Sequence, residues 1–165
     1  LKAEVFSADF IIGLSVFLII TVILGVFYIN LQTDISDYKS RSDIQTKANN
    51  VADILITSSG DPEYWDSSNV NVIGFYDSGL LNLTKFEELK NIEYYTAKRL
   101  MGVGGYEIYI ELENETGYVL KNDSITYSFG KPIEDASQVS YMKRLGLTNL
   151  NGNITKTILG VAIWI

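Results

Sequence analysis

Residues 10–29, from Phe10 to Ile29, carry no charged side chain, and only Gly13, Ser15, Thr21 and Gly25 interrupt the large apolar residues. A helix of about 20 such residues crosses the hydrocarbon core of a bilayer. A helix that is apolar on every side has to be buried, in lipid or among other helices. The small residues allow close helix–helix approach. Glycine costs about 1 kcal/mol relative to alanine inside a helix, so Gly13 and Gly25 are expected either to mark kinks or melted turns or to be tolerated within a span.

The helical pattern does not stop at Ile29. Leu31, Ile35, Tyr38, Ile44, Ala48, Val51, Ala52 and Leu55 recur every three or four positions, while Asp34, Asp37, Lys39, Arg41, Asp43, Lys47 and Asp53 fall elsewhere around the helix. This is an apolar stripe of helical period. Asp37 with Arg41 and Asp43 with Lys47 have the favourable acid-first i,i+4 spacing. Ser58-Ser59-Gly60-Asp61-Pro62 supplies the stop, glycine for a left-handed cap and proline against continuation. A helix from about Val5 to Ile56 would be roughly 75–80 Å long, and a bilayer core takes only about 30 Å of that. The rest must pack on a head or stand in a bundle. The expected organisation is a helix over residues 1–58 and one globular, β-rich head over residues 59–165.

The chain has 165 residues and a net charge of −7, with no cysteine, no histidine and 11 tyrosines. The head is long enough for a modest core. Neither part has a basic patch interleaved with aromatics, so nucleic acid is not an expected partner. Without cysteine there are no disulfides and no thiol chemistry. Without histidine the commonest general base and metal ligand are missing. Abundant tyrosine suits strands and interfaces with one wet side.

In the head, Asp61-Pro62-Glu63-Tyr64-Trp65 reads as a turn that sets an aromatic anchor on the core. Asp61, Glu63, Asp66 and Asp77 lack any EF-hand-like spacing, and no metal site is expected. Val70 to Tyr76 is expected as a short strand ended by Asp77-Ser78-Gly79. Thr84 and Glu87 fit a capping box for a helix reaching Met101, broken in two at Asn91 and closed by Gly102-Val103-Gly104-Gly105. Those glycines match neither the Walker nor the dinucleotide pattern. Tyr106, Ile108, Ile110 and Leu112 alternate with Glu107, Tyr109, Glu111 and Glu113, a strand with one wet face. A loop at residues 114–117 leads to a return over Tyr118–Leu120 and Ile125–Phe129, with a bulge or turn at Asn122-Asp123. Val139–Leu147 and Ile154–Ile165 read as two further strands. The last is nearly all apolar and suits a central or helix-covered position. The expected fold class is α+β: a long N-terminal helix packed on an antiparallel sheet of four or five strands.

Four Asn-x-Ser/Thr sequons, at Asn82, Asn114, Asn122 and Asn153, all lie in the head and mostly in expected turns. Turns favour these residues in any case; in a secreted head they are candidate N-glycosylation sites. Apart from such glycans, no cofactor is expected.

The chain opens at Leu1 without an initiator methionine, which reads as processing or trimming. A secretory signal has a shorter apolar region followed by a cleavage site; here the run is longer and continues into helix, so any leader is expected to have been cut before it. Ala3-Glu4-Val5-Phe6-Ser7-Ala8-Asp9-Phe10, followed by the apolar run, resembles the N-terminus of archaeal type IV pilin-like proteins, which carry a class III signal peptide. Ser7, Asp9 and Phe10 match that pattern, and Glu4 stands where it usually has glutamine. The resemblance implies a type IV pilin-like fold and a processing site between Ala3 and Glu4. It implies a filament-assembly helix drawing on Glu4, Phe6, Asp9, Phe10, Leu14, Phe17, Leu18, Leu24 and Phe27. Glu4 and Asp9 border the apolar run; they would either pair with the α-amino group or Lys2 of a neighbouring subunit or lie in the membrane interface.

The leading functional expectation is a non-enzymatic structural subunit of an extracellular, cell-surface type IV pilus. Such a subunit sits in the membrane before assembly and then polymerises as a helical homo-oligomer through heterologous contacts that do not close. Its head would serve adhesion to a target that the sequence does not specify, with Tyr76 and Tyr109 as candidate contact residues. The alternative is a single-pass membrane-anchored extracellular binding or sensor domain; an anchor usually carries a basic flank and then a linker, neither of which is found here. A carboxylate-only enzyme such as a glycosidase lacks an assignable acid pair.

Overall fold

The computed structural model describes residues 2–122 and 125–165, with side chains from residue 8 onward. The chain divides into two compact units, Leu1–Ser40 and Arg41–Ile165, and helix α1 (Lys2–Thr57) contributes to both. The division falls inside the helix, so its amphipathic end belongs with the head's core.

The described part of the first unit is helix throughout and continuous through Gly13 and Gly25, with no melted turn. Its polar interruptions are satisfied locally. The hydroxyls of Ser15, Thr21 and Thr33 donate to the carbonyls of Ile11, Phe17 and Ile29 at 2.8, 2.8 and 3.1 Å. Such back-bonding leaves no hydroxyl in need of water.

In the second unit, Ile44, Ala48, Val51, Ala52 and Leu55 of α1 are buried in the core. Asp43 and Lys47 do not pair with each other among the described residues. Asp43 accepts from the Tyr106 hydroxyl, and Lys47 donates to the Gly102 carbonyl and lies over the Tyr106 ring.

Beyond α1 come strands β1 (Tyr76–Asp77) and β2 (Leu80–Leu81), helices α2 (Leu83–Asn91) and α3 (Tyr94–Leu100), and strands β3 (Glu107–Glu113), β4 (Lys121–Asn122), β5 (Ile125–Thr126), β6 (Ser128–Gly130), β7 (Val139–Leu150) and β8 (Asn153–Trp164). Six strands form one sheet in the order β1-β2-β7-β8-β3-β6, with β4 and β5 as a separate pair. The sheet is larger than the expected four or five strands. It also contains one parallel contact, Leu81 with Thr148, between β2 and β7. The apolar strand β8 is central, between β7 and β3. Asn151 and Gly152 both have positive φ (53° and 85°), the two-residue hairpin turn that matches strand twist; β7 and β8 therefore run closer to the turn than residue pattern alone indicates.

The expected strand over Val70–Tyr76 does not form. Its N–H groups go elsewhere: Phe75 and Tyr76 donate to the carbonyls of Leu55 and Ser58 at 2.9 and 3.0 Å, satisfying the C-terminal end of α1. Only a single bridge, Asp61 with Val72, and the two residues of β1 remain. Trp65 is the anticipated anchor: buried, with its indole N–H donating to the Gly74 carbonyl at 2.9 Å. The helix break at residue 91 occurs as expected, but the first cap differs. Asn82 is the N-cap, its Oδ1 accepting from the N–H groups of Thr84 and Lys85. Glu87 accepts instead from the Tyr127 hydroxyl at 2.9 Å.

The second unit is thus an α+β arrangement of the type IV pilin kind. The end of a long N-terminal helix, apolar in its first half and amphipathic in its second, packs on a mainly antiparallel sheet.

Candidate assembly surface

The apolar run is exposed on every side within its own chain. Phe10, Leu14, Phe17, Leu18, Leu24 and Phe27 retain 46–67% of their accessible surface. Asp9 is exposed beside them, while Ala3, Glu4 and Phe6 fall outside the residues whose side chains are described. The best window of this helix has a mean hydropathy of 2.9, and none of it is buried by the rest of the chain. It is long and apolar enough to cross a membrane. Length and composition alone serve equally for an anchor, a signal sequence or a helix destined for a protein core. Fully burying one Leu, Ile, Val or Phe is worth about 1.5–3 kcal/mol, so the run carries a large unrealised driving force. Leu31, Ile35 and Tyr38 extend the exposed apolar surface past the uncharged stretch.

The four sequon asparagines differ in what their side chains do. Asn82 uses both ends of its amide: Oδ1 caps α2, and Nδ2, the atom a glycan requires, donates to Asp77 at 3.0 Å. Asn114 folds its Oδ1 onto the N–H groups of Thr116 and Tyr118 and the Thr116 hydroxyl (3.0, 3.0 and 2.7 Å). Its Nδ2 has no partner among the described residues. Asn122 accepts from Asn151 at 3.3 Å, and Ser124 of its sequon lies outside the described residues. Asn153 is exposed at the start of β8. Of the candidate contact tyrosines, Tyr76 is exposed and Tyr109 only half-buried.

A charged cluster that residue spacing does not reveal ties α3 to the sheet. Glu107 accepts from the Tyr94 hydroxyl, from Lys98 at 3.2 Å and from Lys131 at 3.1 Å. Both lysine ammonium groups lie over the Tyr94 ring, at 5.2 and 5.3 Å from its centre. Lys98 is almost wholly buried, with 4% of its side chain accessible. The Tyr94 hydrogen bond first, then the two lysines, hold the Glu107 carboxyl at about 2 instead of 4.5, against its partial burial. A depressed carboxylate stabilises the folded state fully above its unfolded pKa and ceases to do so as pH falls through the folded one. Glu107→Gln is therefore expected to lower the melting temperature at pH 7, because Lys98 loses its charge partner; an unpaired buried polar group costs about 1–3 kcal/mol. The gap between variant and parent should close near pH 2. Thermal melts of both from pH 7 to pH 2 check this, and a gap that persists at pH 2 would contradict it.

The described residues include no cluster of three or more carboxylate, histidine or cysteine groups able to hold a metal. Neither a protein-family model, nor a curated protein, nor a solved structure matches the chain.

Proposed function

We propose that this chain is a structural subunit of a cell-surface filament of the archaeal type IV pilus kind. The helix Phe10–Ile29 holds the subunit in the membrane before assembly and forms the filament core afterwards, with the head outward as an adhesive and N-glycosylated surface. The subunit needs no cofactor and performs no catalysis. The observation that carries this reading is the exposure, along its whole apolar run, of a helix whose continuation is an integral part of the head's core. Helix α1 runs without a break from the apolar run to the residues buried in the head's core. A tethered binding domain has no use for such continuity and is served by a flexible linker. The self-satisfied hydroxyls of Ser15, Thr21 and Thr33 suit burial in either lipid or protein.

Shearing cells that express the chain and imaging the released material tests the proposal. Uniform fibres containing this chain are expected, with glycan mass on the peptides bearing Asn114 or Asn153 in preference to that of Asn82, whose amide nitrogen is engaged. Recovery of the chain solely as a detergent-extracted monomer would support the anchored-domain alternative and overturn the filament.

A further inference from the structure

We infer that, in such a filament, residues 31–38 of one subunit dock into a groove at the far end of the next subunit's head. This rests on the filament reading and names the contact through which heads engage neighbouring helices.

The groove follows from strand lengths. β3 stops pairing with β8 at Glu113 opposite Ile158, while β8 continues back to Asn153 paired only with β7. The chain after Glu113 turns away through the Asn114 turn and rejoins by one bridge, Glu113 with Val119. The gap beside residues 153–157 is a cavity of about 790 Å³, walled by Val119, Leu120, Leu147, Leu150 and Ile154 and rimmed by Lys121 and Lys156. Ile154 is 65% exposed although it is a large aliphatic residue on a sheet. Glu115 is the acid on the rim, 3.9 Å from Lys156.

The occupant is defined by complementarity. Leu31, Ile35 and Tyr38 stand at i, i+4 and i+7 of α1, all exposed, which is the anchor spacing of a helix laid into an apolar groove. Asp34 and Asp37 accompany them with Lys39, so the ridge is net acidic where the groove rim is net basic.

Direction agrees as well. Within the head, Arg41 and Gln45 line one small cavity with Gln138 and Ser140, Asn49 and Asp53 bind Arg144, and Ile56 comes near Gly146. The helix thus ascends alongside β7. The groove, at the β7–β8 turn, is at the end of the head opposite the entry of the chain at Arg41. Repeating one head above another in the same sense sets that end against the entry end, at Arg41, of the next head. Such a contact is heterologous and does not close, as an open polymer requires.

The chain has no cysteine, so an introduced pair reports without background. Ile35→Cys with Ile154→Cys in the full chain, both exposed positions, is expected to give disulfide-linked ladders in assembled fibres and monomers in detergent. As a second variant, Lys121→Glu with Lys156→Glu is expected to reduce fibre yield at least tenfold, and adding Asp34→Lys to restore part of it. Fibres that form normally, with no ladder and no effect of charge reversal, would overturn the docking and leave the filament standing. A wild-type chain that never forms fibres sinks both. A strand from another protein added to the open β8 edge would protect the main-chain N–H groups of Ile154 and Lys156 from exchange without the cysteine ladder, and that too overturns the inference.

Discussion

Leu18→Arg is expected to abolish fibres while leaving the head folded. Leu18 lies near the middle of the uncharged run and is exposed in the isolated chain. An arginine at the centre of a membrane helix costs about 2.5–3.5 kcal/mol on insertion scales, a factor of about 10² in the inserted fraction. In a core of packed helices the same charge has no partner, and uncompensated buried charges cost about 3–5 kcal/mol. Each fibre repeats that cost at every subunit, so loss should be complete. The first buried core residue of the head is Ile44, 26 positions further along the sequence. The head's melting temperature should therefore match that of the parent within error. Fibre counts by electron microscopy, paired with thermal melts of detergent-solubilised chain, separate the two effects. Normal fibres from Leu18→Arg would mean that this stretch is not buried in the polymer.

Gly74→Ala is expected to destabilise the head strongly. A Cβ at Gly74 would sit 2.3 Å from the Ser58 carbonyl oxygen and 2.7 Å from the Gly60 nitrogen, both main-chain atoms that cannot rotate away. The chain passes this close where Phe75 donates to the Leu55 carbonyl in the last turn of α1 and Tyr76 to the Ser58 carbonyl just beyond it. Relief requires moving the helix end or the segment carrying Trp65, whose indole bonds to the Gly74 carbonyl. Overpacking typically costs 1–3 kcal/mol and more where nothing can give; about 3 kcal/mol or more is expected here. That corresponds to a fall of roughly 10 °C in melting temperature for a unit of this size. Gly104→Ala, with open space around its Cβ and no positive φ, is the matched control and should be nearly neutral. A Gly74→Ala chain as stable as that control would show that the close approach is not maintained in solution.

The contrast between these glycines marks where sequence reasoning reaches its limit. Helix α1 was legible because its signals agree over many turns: an uncharged run, a stripe continuing at Ile44, Ala48, Val51 and Leu55, and a Gly-Pro stop. The pairing partners β7 and β8 and the central place of β8 were legible because Val139–Leu147 and Ile154–Ile165 read as strands and the final residues are apolar on both faces; the tight turn at Asn151-Gly152 emerged only in the structure. β1 and β2 were not. Two-residue strands have no periodicity, and the partners of Phe75 and Tyr76 are helix carbonyls some twenty positions earlier. Asn82 displaced Thr84 as the cap because either side chain suits that role, and only the observed start of α2 at Leu83 decides between them. The apolar run of α1 could be read directly. The Lys98–Glu107–Lys131 cluster and the groove beside β8 could not, since one depends on how α3 meets the sheet and the other on where β3 stops.

The most direct measurement is a reconstruction of the fibre at a resolution that separates helices. If the account is right, the Phe10–Ile29 segments of neighbouring subunits lie about 8–10 Å apart, axis to axis, the spacing of directly packed helices, with no lipid layer between them. Segments held apart by acyl chains, or a fibre core built from some other part of the chain, would contradict it.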